Sequence, residues 1–423
     1  MALANTTVWE MRANGDATNG GGFYDRDPGT SVDYSQQDAA ELSLTDLACV
    51  AASTTLTSAT GGFTAAMAGN IVYIASGTNA LVGWYEITAY SDTNTVTIDR
   101  TCASGGDMSA ASGKVGGAYA FGGSNEDSYI ENCWCAGVAS VVWIANDGTH
   151  TLSQTVSLPF ISNKGVSVYG YNTSRGDDPT GDNRPLLAMQ TYSWTANYLS
   201  MYMSGVRITG SADYLLSFML TTSILYNCKI THTGLHSAVA STAFLLNCHI
   251  ISSSNHAWYG AINACGFVSG CLIEQTSRLA SSIGLREVEG ITGCIVRGFT
   301  TGVRGKQNGG SVIEGCVLYD NTNSVLVATN YSIIIRNSIS HTGTNFLTGE
   351  SNAGAKAVVD HCCVYNITND EAANFTGTQY AINKVTSDPG LTEPANGDFS
   401  ISTSSPAYKT GVDITDHIAG ITI

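Results

Sequence analysis

A chain of 423 residues could hold two or three ordinary domains, yet only 12% of its residues are charged and 43% are apolar, which excludes disorder. The net charge of −16 would repel a phosphate backbone, and no Lys/Arg cluster offsets it, so nucleic-acid binding is excluded as well. Glycine is abundant (46 residues) and proline scarce (7), a composition that suits many short strands and tight turns.

In chain order, Met1-Ala-Leu-Ala-Asn5 carries neither a basic nor an apolar leader segment, so no signal peptide is expected. No apolar run approaches the length of a membrane span, and no membrane association is expected. Val8-Trp-Glu-Met11 reads as a strand followed by a Gly/Asn-rich turn through Gly22. Asp33 to Leu47 reads as an amphipathic helix able to lie as a lid across a first coil. Alternating strands follow at Asn70-Ile-Val-Tyr-Ile74, Trp84-Tyr-Glu-Ile-Thr88 and Thr95-Val-Thr-Ile-Asp99, marking residues 50–118 as a small inserted β-domain. Beyond them come Val141-Val-Trp-Ile144, with Trp143 expected in the core or a cap, the turn Asn146-Asp-Gly148, and Gly165-Val-Ser-Val168.

From residue 203 a repeat takes over. Met203-Ser-Gly-Val206-Arg-Ile208, Leu225-Tyr-Asn-Cys228-Lys-Ile230, Leu245-Leu-Asn-Cys248-His-Ile250 and Val268-Ser-Gly-Cys271-Leu-Ile273 share one pattern. It continues in Ile291-Thr-Gly-Cys294-Ile-Val296, Ile313-Glu-Gly-Cys316-Val-Leu318, Ile334-Ile-Arg-Asn337-Ser-Ile339 and Val359-Asp-His-Cys362-Cys-Val364. The steps from Val206 to Cys228, Cys248, Cys271, Cys294, Cys316, Asn337 and Cys362 are 22, 20, 23, 23, 22, 21 and 25 residues. Apolar, two polar or small residues, a compact residue, any residue, apolar: two short strands meeting at a bend would point the first, fourth and sixth inward. Glycines 205, 270, 293 and 315 fall where the bend needs conformational freedom. The fold class is therefore all-β, a parallel β-helix with coils of about 22 residues whose like residues stack in ladders. The cysteines are then small buried apolar residues with free thiols, made in a reducing compartment, and Cys133-Trp-Cys135 lacks zinc-site spacing. No metal or cofactor is implied.

Trp9-Glu-Met-Arg12, then Val142-Trp-Ile-Ala-Asn-Asp-Gly-Thr-His150, then Asn396-Gly-Asp-Phe-Ser-Ile401 and Ser404-Ser-Pro-Ala407 resemble the opening strand, first full coil and closing coil of the right-handed parallel β-helix (pectin-lyase-like) superfamily. The insertion, Gly61 to Ile74 with Ile87 to Ile98, is similar to small β modules of bacteriophage tail and fibre proteins. The resemblance implies this order: residues 1–49, N-terminal strand and capping helix; 50–118, inserted attachment module; 119–390, coils; 391–423, closing coil and C-terminal cap. It also implies a virion structural protein (tail spike, head fibre or capsid decoration), made in the host cytoplasm without a signal peptide. Its expected partners are two further copies in a homotrimer, other virion proteins, and a host-surface polysaccharide.

Fold does not give function, so the residues must. A glycosidase needs two carboxylates about 5–9.5 Å apart. Glu314 and Asp360, both two residues before a ladder residue and two coils apart, are the candidates, and a polysaccharide depolymerase is the alternative to passive adhesion. Trp194, Trp258, Tyr319 and Tyr365 are candidate platforms for sugar rings. Glu274 and Arg297 share one position on adjacent coils and read as a surface ion pair. The loop Arg175-Gly-Asp177-Asp178 reads as turn chemistry.

Overall fold

The computed structural model describes residues 3–4, 6–135, 139–158, 165–197, 200–219, 222–307, 309–350 and 355–409. It is a parallel β-solenoid of about 10 turns with a small antiparallel barrel, the all-β class that the repeat predicts. Among the described residues no helix is long and apolar enough to cross a membrane. The chain divides into two compact units, residues 1–188 with 197–206, and residues 189–196 with 207–423.

In the first unit the strand Val8–Met11 pairs in parallel with Ala139–Ala145, which pairs with Gly165–Tyr171, which pairs with Ser200–Ser204. Between the first two lies a closed six-stranded barrel running from Leu42 to Val115. Leu47, Leu56, Val72, Ile74, Ile87 and Val96 fill it. The expected helix over residues 33–47 does not form. Asp33 caps a single 3-10 turn, Tyr34–Gln36, and Leu42–Cys49 is the first barrel strand, eight residues before the expected start of the insertion. The reason is visible in its register against Met108–Val115, which shifts between Leu44 and Leu47. That β-bulge turns two leucines three residues apart to the same face, a spacing that imitates a helix. The helix that does pack beside the first coil is elsewhere. Glu126–Tyr129 continues as the wider turn Ile130–Trp134, burying Tyr129, Ile130, Cys133 and Trp134. Trp143, expected inside, faces outward and half-buried, its ring 4.9 Å from that of Tyr169.

An ionic knot ties the start of the chain down. Arg175 bonds Glu10 and Asp33 at 2.7 Å each, and Tyr171 donates its hydroxyl to Glu10. Asp177 accepts backbone N–H groups from Asn172, Thr173 and Ser174. Arg175 and Asp177 are thus occupied with holding their own turn.

In the second unit one strand row is Ile224–Tyr226, Phe244–Leu246, Phe267–Ser269, Gly290–Thr292, Ser311–Glu314, Ser332–Arg336, Lys356–Asp360 and Thr378–Ile382, each in parallel with the next. After each strand up to Lys356–Asp360 one residue adopts positive φ: Asn227, Asn247, Gly270, Gly293, Gly315, Asn337 and His361, between 48° and 61°. Gly and Asn tolerate this left-handed bend best, which is why they recur there. The inward column follows immediately: Cys228, Cys248, Cys271, Cys294, Cys316 and Cys362 are all buried with free thiols. Val206, in the first unit, is buried likewise.

Asn337 is not in that column. Register pairs Glu314 with Arg336 and Arg336 with Asp360, so Asn337 occupies the bend and Ser338 takes the inward slot. The apolar pattern favoured Ile339 as an inward residue, whereas this coil instead buries two serines, with Ser340 bonded to Ser324 at 2.6 Å. Ser338 substitutes for a thiol closely. It receives the N–H of Cys316 at 3.1 Å, as Cys271 and Cys316 receive those of Cys248 and Cys294, at 3.3 and 3.4 Å.

The expected closing coil is also revised. Residues Leu391 to Tyr408 run along the flank, where Phe399, Ile401 and Ala407 pack on Leu272, Ile295, Val317, Ile339 and Cys363. These five follow the column residues directly. At that position the earlier coils carry Lys229 and His249, so the change to apolar side chains marks where the strap lies. Residues 410–423, the rest of the expected cap, lie outside the described residues.

Candidate functional site

The two candidate acids do not form a catalytic pair. Thr292, Glu314, Arg336 and Asp360 are one outward row, and Arg336 lies between the carboxylates, bonded to Glu314 at 2.8 Å. Asp360 is bonded to His361 at 2.6 Å. Two strand spacings put the acids about 10 Å apart with a cation between them, beyond the hydrolase range.

Three residues beyond the column runs a second row, Glu274, Arg297, Tyr319, His341 and Tyr365. The tyrosines bracket His341, at ring distances of 5.5 and 5.3 Å. Glu274 is more than a surface partner. It is buried, bonded to Arg297 at 2.7 Å and to His249 at 2.7 Å. Burial works against its ionised form, but the bonds from His249 and Arg297 outweigh it and hold its carboxyl below the usual range. Arg297 also donates to the Pro394 carbonyl and lies over the Phe399 ring. A cleft of about 380 Å³ opens beside Glu274, Gln275, Arg297, Tyr319 and Asp320. With Arg297 bonded to both Glu274 and the strap, this cluster is an anchor for the C-terminal segment.

Trp194, expected at the surface, is fully buried in the strand Trp194–Asn197. Trp258 is 62% exposed, as a platform must be. Its ring lies 5.2 Å from the Arg304 guanidinium, a cation–π contact that fixes the indole while leaving its other face to solvent. Around it stands a cluster that the sequence did not single out. His236 contacts Tyr214 (5.1 Å), His256 (4.8 Å) and Tyr259 (4.6 Å), and Tyr259 also meets His256 at 4.8 Å. The backbone N–H of Trp258 donates to His256 Nδ1 at 3.1 Å. Burial first, then the bond to Tyr259, pushes the Tyr214 hydroxyl up from its ordinary value.

Arg286 and Arg304 are in register on neighbouring strands beside these rings. Arg286 Nη1 donates to Asn263 at 3.0 Å, and Arg304 pairs with Glu350. Burial, then the charge of Arg304, lowers the proton affinity of Arg286. The strand is irregular here: register shifts between Arg286 and Val288, and Glu287 stands at φ 58°. Bulges and left-handed non-glycine residues gather at functional sites. The sequence did hold a signal for three members. Tyr214, His236 and His256 each lie eight residues after Val206, Cys228 and Cys248. Among the described residues no group of three or more His, Cys, Asp or Glu could hold a metal ion.

No family model matches this chain, and no curated protein does. Among solved structures, an alginate lyase from Paenibacillus sp. str. FPU-7 is 14% identical, with 61% of this chain and 95% of that one covered, at TM-score 0.30. The tailspike protein gp49 from Pseudomonas phage LKA1 is 11% identical over 83% of this chain and 64% of that one, also at 0.30. The Gp54 tailspike of Acinetobacter baumannii bacteriophage AP22, solved with a capsular saccharide, is 10% identical over 82% and 56%, at 0.25. At these values the matches identify no site residue, and the functional reading rests on this chain's own geometry.

Proposed function

We propose that the protein is a glycan-adhesive component of a bacteriophage particle, with the flank of the second unit around Trp258 as the contact surface. The observation that carries the adhesive reading is an indole held by a buried cation with its free face turned to solvent. Sugar rings stack their C–H faces on such platforms, and the surrounding Tyr and His groups supply hydrogen bonds. Twelve buried free thiols favour folding in a reducing cytoplasm, compatible with release by lysis. The barrel of residues 42–115 is the attachment module in this reading.

Self-association is part of the proposal. One outward row of the second unit reads Ile224, Phe244, Phe267, Gly290, Val312, Ile334, Val358 and Tyr380. Phe244, Phe267, Ile334 and Tyr380 in it are exposed. An apolar stripe along eight coils is a surface that association would cover, and a homotrimer is the assembly we infer. Mass spectrometry of purified particles tests the virion assignment, and retention on immobilised host polysaccharide tests adhesion. Absence from particles removes the first, and free passage over the polysaccharide removes the second.

The enzymatic alternative, a polysaccharide depolymerase, has one observation in its favour: a carboxylate, Glu287, on a strained bulge beside an arginine. Release of reducing ends or of unsaturated products by the wild type, lost in Glu287→Gln, would establish it.

A further inference from the structure

We propose that Cys49 and Cys102 are a cross-linking site: met by a small-molecule disulfide such as oxidised glutathione, this pair closes to a cystine inside the barrel, while the thiol column of the second unit stays reduced. The inference lies apart from the glycan reading and does not depend on it. Cys49 ends the strand Leu42–Cys49, and Cys102 lies in the segment between the strands Thr95–Ile98 and Met108–Val115. Both belong to the barrel core and are buried with free thiols. Three bonds frame the place where they meet. The Ala51 N–H donates to the Asp107 carboxylate at 2.8 Å, the Ile98 N–H to the Thr54 carbonyl at 2.8 Å, and the Leu81 N–H to the Cys102 carbonyl at 2.8 Å. Inside that frame the two side chains touch, the Cys102 thiol hydrogen-bonded to that of Cys49, and both sulfurs act on Tyr85 electrostatically.

What separates this pair from the column is how far the backbone can give. A disulfide needs Cβ atoms about 3.8 Å apart. In the column, Cys248, Cys271, Cys294 and Cys316 stand on coils whose strands are paired in register on either side of them, about 4.8 Å apart. Linking two of them would pull neighbouring coils together against those hydrogen bonds. Cys102 is under no such constraint. Its segment belongs to no strand and runs on into Gly105, which stands at φ 74° with open space around it and can re-aim the chain. Cover differs as well. Val50, next to Cys49, is 62% exposed, and Ser104, two residues beyond Cys102, is exposed, so local opening of one turn admits the oxidant.

The reaction is two thiol–disulfide exchanges. Burial, then the neighbouring Cys49, pushes the Cys102 thiol up to about 12, so the first attack falls to Cys49. The Cys49 thiolate attacks one sulfur of the oxidised glutathione, a mixed disulfide forms, and one glutathione thiolate leaves. Cys102 then gives up its proton and displaces the second glutathione thiolate, which closes the protein disulfide. Two protein thiols are oxidised, one glutathione disulfide is reduced, and the two protons end on the two glutathiones. The link joins residues 49 and 102 around four of the six barrel strands, which restricts the unfolded chain far more than the folded one.

The test is exposure of the folded full chain to oxidised glutathione at neutral pH, followed by alkylation in denaturant and peptide mapping without reduction. The expected result is that alkylatable thiols fall by two from the original twelve, with one cross-linked peptide joining Cys49 to Cys102. The oxidised protein should unfold at higher denaturant, and dithiothreitol should reverse both changes. Cys49→Ser should form no link and keep every remaining thiol. Twelve thiols after exposure, a glutathione adduct that never resolves into the link, or a cross-link within the column would each overturn the proposal. The wild-type peptide map decides between these results even where Cys49→Ser does not fold.

Discussion

The coils of the second unit turn two unlike faces outward. One carries the row from Ile224 to Tyr380, apolar at nearly every step, with Phe267 49% exposed. The other carries rings and guanidiniums, Tyr214, His236, His256, Trp258, Arg286 and Arg304. Both hang on the same inward column of thiols, so the interior does not distinguish them. A solenoid separates the two problems physically. Inward side chains must stack on their own kind from coil to coil, while outward ones are free to change chemistry along the length.

The largest effect is expected at the buried ions beside the column, Glu274, Arg297 and His249, which anchor the C-terminal segment. Glu274→Ala leaves Arg297 and His249 without their shared carboxylate and should cost about 3 kcal/mol in a denaturant titration. The same contact predicts a pH dependence. Because the folded carboxyl lies below 4.5, its contribution is complete above that pH and is lost as pH falls through the depressed value. Glu10 should behave oppositely. Burial raises its carboxyl despite Arg175, so ionising it costs stability as pH rises from 4.5 through the raised value. Melting curves of Glu10→Gln and Glu274→Gln against the wild type from pH 3 to pH 7, an interval chosen to span ordinary carboxyl values, should therefore diverge with opposite slopes.

Next in size is the strap. Phe399→Ala removes a buried ring from the row Leu272 to Cys363 and should cost about 3 kcal/mol, with earlier proteolysis after residue 390. On the apolar face, Phe267→Asp should weaken self-association by about 2 kcal/mol in sedimentation equilibrium, while Trp258→Ala leaves it unchanged. Equal effects of the two variants would erase the distinction between the faces. Smallest is the bend. Asn337→Ala should cost about 1 kcal/mol and Asn337→Gly almost nothing, whereas an inward residue would show the reverse order.

How far the sequence could be read follows the same division. The inward column was legible because packing leaves so few residue types for it, and the bend because positive φ favours Gly and Asn. The single slip, Asn337 for Ser338, came where a coil buries serines and the apolar pattern lapses. The barrel strand Leu42–Cys49 imitated a helix through its bulge, an effect of pairing with the distant strand Met108–Val115. Trp194 gave no local sign of its burial. The flank cluster was legible only in part: Tyr214, His236 and His256 share an offset, but Arg286 and Arg304 reach them through loops of unequal length, which the repeat does not encode.

The claim on which the account depends is that the ring-and-guanidinium flank, and not the apolar face, meets the glycan. A structure of the protein with a bound host-surface oligosaccharide tests it directly. The expected result is a sugar ring on the open face of Trp258. Density lying instead along Phe244, Phe267 and Ile334, with the indole bare, would contradict it.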